Sequence, residues 1–276
     1  MAGAWRDAPD DVDPTVLVLG GFLTSPPLYL PMRRRLLERG AAGVVIASVW
    51  LPDWLIAAQR GLGPILTRSA RALLRASTLA QGSAQSGGAP LLVVGHSAGG
   101  LTARLLSSPE PFEGRRLGAG HRMGAIVTLG TPHRVTSAGI VGRRLAQAAT
   151  DFAERVVPGP AFAPTTGYLA IASQAVIGHA GRDRRARLAY GLYRSFDADL
   201  VLDHDHGEGG VLGDGLVPVR SAGLAGVETI VLDGIVHGQS RPGPWYGSDE
   251  ALDVWWPRAV EVWRAALRAR VEASVL

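Results

Sequence analysis

The sequence predicts an open, mostly parallel, doubly wound α/β sheet, and three observations point there. Short, nearly continuous apolar runs recur, as expected of parallel strands covered on both faces. These runs alternate with longer segments of helical patterning, the mark of crossover connections. One of them passes through a Gly-x-Ser-x-Gly turn directly into a helical segment.

The elements follow in order. Thr15 to Leu19 is the first strand and ends in Gly20-Gly21-Phe22. After Pro26 and Pro27, a helix is expected from Leu28 to Arg39, closed by Gly40. Gly43 to Val49 is rich in valine and isoleucine and reads as a strand; Trp50 to Trp54 reads as a Pro-Asp turn. An amphipathic helix is expected over Pro64 to Leu79, then a polar surface loop over 81–89. Pro90 to Gly95 is a buried strand, Ala98 to Ser107 a helix, and Gly124 to Leu129 another strand. Helical patterning returns from Ser137 to Val156. Tyr168 to Gln174 and Val227 to Leu232 read as further strands, and an amphipathic helix with Trp255, Trp256 and Trp263 closes the chain. Residues 1–14 are expected to be a flexible segment and 15–276 a single domain. About 175–212 is too long for a plain loop and reads as an irregular insertion, a candidate lid.

Composition narrows the chemistry. The chain has 276 residues, enough for a sizeable core. It contains no cysteine, which removes thiol catalysis, disulfides and Cys-ligated metals. The segment Met1 to Pro14 carries four aspartates and no apolar run, unlike a secretory signal, so a cytoplasmic location is expected. All 28 basic residues are arginine, and the net charge is only +4. The clusters at Arg33 to Arg35 and Arg182 to Arg187 read as solvated faces rather than a nucleic-acid surface; weak peripheral membrane contact stays open.

The chemistry centres on Gly95-His96-Ser97-Ala98-Gly99. A strand that reverses into a helix this tightly holds its apex residue in a strained conformation and projects the hydroxyl above the sheet. The following helix start leaves backbone N–H groups unpaired beside it, suited to an acyl-transfer oxyanion. Ser97 is therefore the candidate nucleophile. The backbone N–H groups of Phe22 and Ala98 are the candidate oxyanion hole, because Gly20-Gly21-Phe22 follows the first core strand.

With Leu129-Gly130-Thr131-Pro132-His133, Gly213-Asp214-Gly215-Leu216-Val217-Pro218 and His237-Gly238, the chain resembles the lipase and esterase branch of the α/β-hydrolase superfamily, including its inositol-deacylase-like members. The resemblance runs from about Thr15 to Gly247 and implies a carboxylic-ester hydrolase. The order Ser97, Asp214, His237 is the chain order of that fold. Asp214 would orient the imidazole and His237 would act as general base. Asp199, Asp203, Asp205 and Asp233 compete as acids but lack the Gly-Asp-Gly-x-Val-Pro setting. Many relatives carry His-Gly where this chain has Gly20-Gly21, so the hydrogen bonds supporting the hole are expected to differ.

Other signals read more simply as structure. His96 and His133 are expected to brace the elbow and the neighbouring turn. Asp203 to Glu208 is dense in metal ligands, yet a solvated loop is the plainer reading, and the proposed hydrolysis needs no metal and no cofactor. Trp50 and Trp54 are candidates for an acyl pocket or for core packing, and Trp245-Tyr246 for anchoring the His237 loop. The expected substrate is a small, lipophilic ester. A thioesterase or acyltransferase would use the same triad. A ligand-binding relative with negligible turnover is the alternative from another class, and retention of serine, acid and histidine argues against it.

Overall fold

Six strands build one parallel sheet in the computed structural model, which describes residues 10–135, 143–181, 183–196, 210–239 and 241–275. They are β1 (Thr15–Leu19), β2 (Gly43–Ile46), β3 (Leu91–His96), β4 (Met123–Leu129), β5 (Gly167–Gln174) and β8 (Thr229–Asp233), in the order β2-β1-β3-β4-β5-β8. Every neighbouring pair is parallel. The short strands β6 (Val176–Gly178) and β7 (Val211–Gly213) form a separate antiparallel ribbon, followed by a single helical turn, α7 (Val219–Ala222).

Side chains along each strand alternate between faces, and the two faces bury two cores. Val16, Val18, Leu92, Val94, Ala125 and Val127 face α1 (Leu30–Glu38) and α8 (Asp249–Val275). Leu17, Leu19, Leu91, Val93 and Ile126 face α2 (Leu51–Arg60), α3 (Gly63–Gly82), α4 (Ala98–Ser107) and α5 (Arg143–Val156). This accounts for the unbroken apolar runs: both sides of the strand are covered. The three tryptophans of α8 are buried, and Trp263 Nε1 donates to the Pro90 carbonyl at 2.7 Å, tying the helix to the start of β3. Val12, ahead of β1, joins the same core.

Several boundaries differ from the sequence expectation. The expected turn after Trp50 is the first turn of α2: Pro52 lies in it, where a missing N–H costs nothing, and the Asp53 carboxylate accepts the Trp50 N–H at 2.8 Å. The second strand accordingly stops at Ile46 rather than Val49. The amphipathic helix is longer than expected, Gly63–Gly82, and takes in the start of the expected 81–89 loop. Between Gln174 and Asp214 lie β6, β7 and α6 (Arg184–Tyr193), the last capped by the Asp183 carboxylate on the N–H groups of Arg185 and Ala186. Residues 136–142 and 197–209 lie outside the described residues, and with them the expected helix start at Ser137, the acids Asp199, Asp203 and Asp205, and the 203–208 cluster.

Strand order places the site. The chain leaves β1 for β2 on one side, then returns to lay β3 on the other. At such a switch the connections diverge and open a crevice beyond the carboxyl ends of the two strands. Leu19 pairs with Gly95, so the loops leaving β1 and β3 start side by side.

Candidate active site

The elbow is built by backbone crowding. Ser97 sits at φ 54° and ψ −126°, a positive-φ conformation that a non-glycine residue adopts only when its surroundings impose it. Gly99 imposes part of it. A Cβ there would drive into the carbonyl oxygen of Leu19, and one on Gly95 into the backbone of Gly99 and Gly100. The Ser97 N–H is spent on the Leu129 carbonyl at 2.9 Å, which fixes the apex against β4. Ala98 begins α4, so its N–H has no partner within the helix.

The loop after β1 lies directly against this apex. A Cβ on Gly21 would come within 2.9 Å of Ser97 Cβ. The Gly21 carbonyl accepts both Thr24 Oγ1 at 2.7 Å and the Thr24 N–H at 3.3 Å. In a trans peptide the N–H points opposite to the C=O, so the Phe22 N–H is turned away from Thr24. It takes part in no hydrogen bond among the described residues. The Phe22 ring is 43% exposed and packs edge-on against buried Trp54, 5.4 Å between centroids.

Asp214 and His237 come together from the far side of the sheet. Asp214 follows β7, and His237 lies beyond β8. His237 Nδ1 is 2.7 Å from Asp214 Oδ2, and its N–H donates to the Asp214 carbonyl at 3.0 Å. Asp214 Oδ1 accepts the N–H groups of Leu216 at 2.9 Å and Val217 at 2.7 Å; Oδ2 also accepts the Tyr246 hydroxyl at 3.0 Å. The carboxyl is fully buried, and burial alone would push its pKa up. The charge and hydrogen bond of His237, with the two backbone donors, outweigh this and hold it below the ordinary carboxylate range. Asp214 is thus an anion that accepts the proton at His237 Nδ1, and His237 Nε2 has no hydrogen-bond partner among the described residues.

His237 is held beside the elbow through His96. His96 Nε2 lies 2.7 Å from the His237 carbonyl oxygen, and the two rings are 5.0 Å apart. Ser97 is the next residue in the chain. Both Ser97 and His237 are buried, each 8% exposed. Burial, followed by the neighbouring His237, pushes the His96 pKa from 6.5 down to about 3, so that ring is neutral.

His133 lies apart from this group, buried between Arg104 Nη1 at 3.4 Å and Thr128 Oγ1 at 3.2 Å. Asp233, the competing acid that falls among the described residues, ends β8 and bonds the Gln174 amide. Trp54 is core, while Trp50 is exposed near the crevice. Trp245 packs on the rings of Tyr29 and His96, and Tyr246 reaches the Asp214 carboxylate.

Three tyrosines carry more of the site than sequence reasoning assigned. Tyr246, expected as an anchor of the His237 loop, also donates to the Asp214 carboxylate. No sequence motif includes Tyr29 or Tyr193. The Tyr193 hydroxyl donates to the Val176 carbonyl at 3.0 Å and accepts the Gly215 N–H at 2.8 Å, so the inserted α6 supports the Asp214 turn. No local pattern marks such residues, because their partners lie 5 to 67 positions away.

A parallel, doubly wound sheet with a strand–elbow–helix at its switch point defines the fold class as that of the α/β hydrolases. No family model matches the chain, and no curated protein matches it by sequence. Among solved structures it is similar to the apo form of Thermogutta terrifontis esterase 2, with 14% identity and a TM-score of 0.45 over 94% of this chain and 83% of that one. A butyrate-bound structure of a novel thermophilic esterase from the Planctomycetes species Thermogutta terrifontis gives 13% identity and a TM-score of 0.46 over 99% and 86%. At that distance neither likeness bears on the chemistry of this chain. Among the described residues, no helix is long and apolar enough to cross a membrane.

Proposed function

We propose that this protein hydrolyses carboxylic esters through an acyl-enzyme on Ser97. The observation that carries the reading is the buried Asp214–His237 pair, 2.7 Å apart, tied through His96 to the elbow that holds Ser97 in a strained conformation. His237 Nε2 takes the proton of Ser97 Oγ as the oxygen attacks the ester carbonyl. The carbonyl oxygen becomes an anion, which the N–H groups of Phe22 and Ala98 receive. His237 then gives its proton to the departing alkoxide, and the acyl group stays on Ser97. A water, deprotonated by His237, attacks the acyl carbon, and collapse of the second tetrahedral adduct restores the serine. Asp214 keeps the imidazole in the Nδ1–H tautomer and stabilises the transient imidazolium. None of these steps calls on a metal or cofactor.

The rim of the crevice supports an apolar acyl group. Phe22, Leu23, Trp50, Leu51 and Leu55 are all exposed there, on the loop after β1 and the first turns of α2. Ser25 Oγ accepts the Leu51 N–H at 3.3 Å and joins these two segments into one surface. An ester with a hydrocarbon acyl chain would cover it.

The test is turnover of p-nitrophenyl esters of increasing acyl length by the wild type and by Ser97→Ala. The variant should lose at least about 10⁴-fold in kcat with its thermal midpoint preserved. Turnover near the wild-type rate would remove Ser97 from the mechanism.

A further inference from the structure

Three hydrogen bonds in series join the two loops that flank Ser97. Starting from the loop after β1, the Gly21 N–H donates to the Tyr29 hydroxyl at 2.8 Å. The Tyr29 oxygen lies 2.9 Å from His96 Nδ1 and 3.2 Å from Thr24 Oγ1. His96 Nε2 lies 2.7 Å from the His237 carbonyl. Thr24 Oγ1 returns to the Gly21 carbonyl at 2.7 Å.

The chemistry of the partners fixes every proton. A carbonyl oxygen only accepts, so His96 Nε2 must carry hydrogen toward His237. The ring is neutral, so Nδ1 is bare and must accept. Tyr29 is the donor at that nitrogen, and burial, which raises its pKa, keeps its proton in place. Its single hydrogen being used there, its oxygen is free to receive the Gly21 N–H. The Thr24 hydrogen is already committed to the Gly21 carbonyl, so Thr24 and Tyr29 touch without sharing a proton. The result is a one-way chain: Gly21 N–H to Tyr29, Tyr29 to His96, His96 to the His237 carbonyl. Reversing any member would leave two donors or two acceptors facing each other.

We propose that Tyr29 and His96 are a positioning couple that sets the oxyanion-hole peptide and the general-base loop at a fixed distance on either side of Ser97. The inference rests on the reading of Ser97, His237 and Phe22 given above. Its lever is short. The Gly21 amide is one residue from the Phe22 N–H, and the carbonyl that His96 holds belongs to His237 itself. Neither Tyr29 nor His96 touches substrate. They act by keeping a donor and a base in register across the crevice, where a shift of about 1 Å is enough to cost two orders of magnitude in rate. Trp245 packs edge-on against both rings, 6.0 Å from Tyr29 and 5.7 Å from His96, and so limits their movement.

The experiment measures the rate at which a fluorophosphonate modifies Ser97, with the site read by mass spectrometry, in the wild type, Tyr29→Phe, His96→Leu, His96→Gln and the Tyr29→Phe/His96→Leu pair. Labelling forms the same tetrahedral geometry as acylation and needs both loops. Tyr29→Phe should slow it about 100-fold and lower kcat with KM kept, because the apolar rim is untouched. His96→Gln retains one donor and one acceptor and should be faster than His96→Leu, which retains neither. The double variant should be no slower than the slower single variant, since either change breaks the same chain. Labelling of Tyr29→Phe at the wild-type rate, or additive losses in the pair, would overturn the couple while leaving the triad standing. A folded wild type that is not labelled on Ser97 would overturn the triad, and the couple with it.

Discussion

Ser97 and the Asp214–His237 pair reach one crevice by different means. Ser97 is placed by backbone: glycines too small to obstruct, a carbonyl of β1 pressed against Gly99, and an apex N–H fastened to β4. All of this is backbone at the carboxyl ends of three neighbouring strands, β1, β3 and β4. Asp214 and His237 are placed by side chains from elsewhere in the chain: Tyr246 on the carboxylate, Tyr193 behind its turn, His96 under the His237 carbonyl. A site of this kind thus has one stiff wall made by sterics and one adjustable wall made by hydrogen bonds. The stiff wall fails by unfolding. The adjustable wall fails by losing rate first.

The difference predicts how each wall breaks. Asp214→Asn should have the largest effect on chemistry, about 10⁴ in kcat, because an amide cannot hold His237 in the Nδ1–H tautomer. Steady-state kinetics on a short-chain ester reads this, and loss below tenfold would point to another acid. Gly99→Ala strikes the stiff wall instead. Its Cβ meets a strand carbonyl that cannot yield, so a loss of about 3 kcal/mol or more is expected in chemical denaturation, with activity falling in step with folded protein. A stable but inactive Gly99→Ala would show that the elbow bends more easily than its contacts imply.

Tyr246→Phe is the gentlest probe and isolates one bond of the adjustable wall. It removes one of four groups donating to the Asp214 carboxylate and should lower kcat about tenfold. It should also show in acid stability. Asp214 is held below its unfolded pKa, so its contribution is present above that value and is lost as pH falls through the folded one. Losing a donor to the anion raises the folded pKa, so the acid unfolding edge should move to higher pH in Tyr246→Phe. An unmoved edge would mean that Tyr246 packs beside Asp214 without stabilising its charge.

The same contrast explains what could be read from the chain before its structure. Strand β1 and helix α4 have the residues expected of them, because apolar continuity and the Gly-His-Ser-Ala-Gly turn are local signals. The start of helix α2 reads as a turn in the sequence. Its Pro52 and Asp53 resemble turn residues, and they are equally the residues of a helix's first turn. The ribbon of β6 and β7 was hidden because each strand has only three residues. Tyr29 illustrates the rest. It sits in a short 3₁₀ turn with nothing nearby to mark it, and its importance comes from His96, 67 residues away.

The central claim is that Ser97 is an activated nucleophile, and labelling with a fluorophosphonate followed by mapping of the modified peptide tests it most directly. A single adduct on Ser97, absent when Asp214 is replaced by asparagine, is the result expected. A folded protein that takes no adduct, or takes it on another serine, would contradict it.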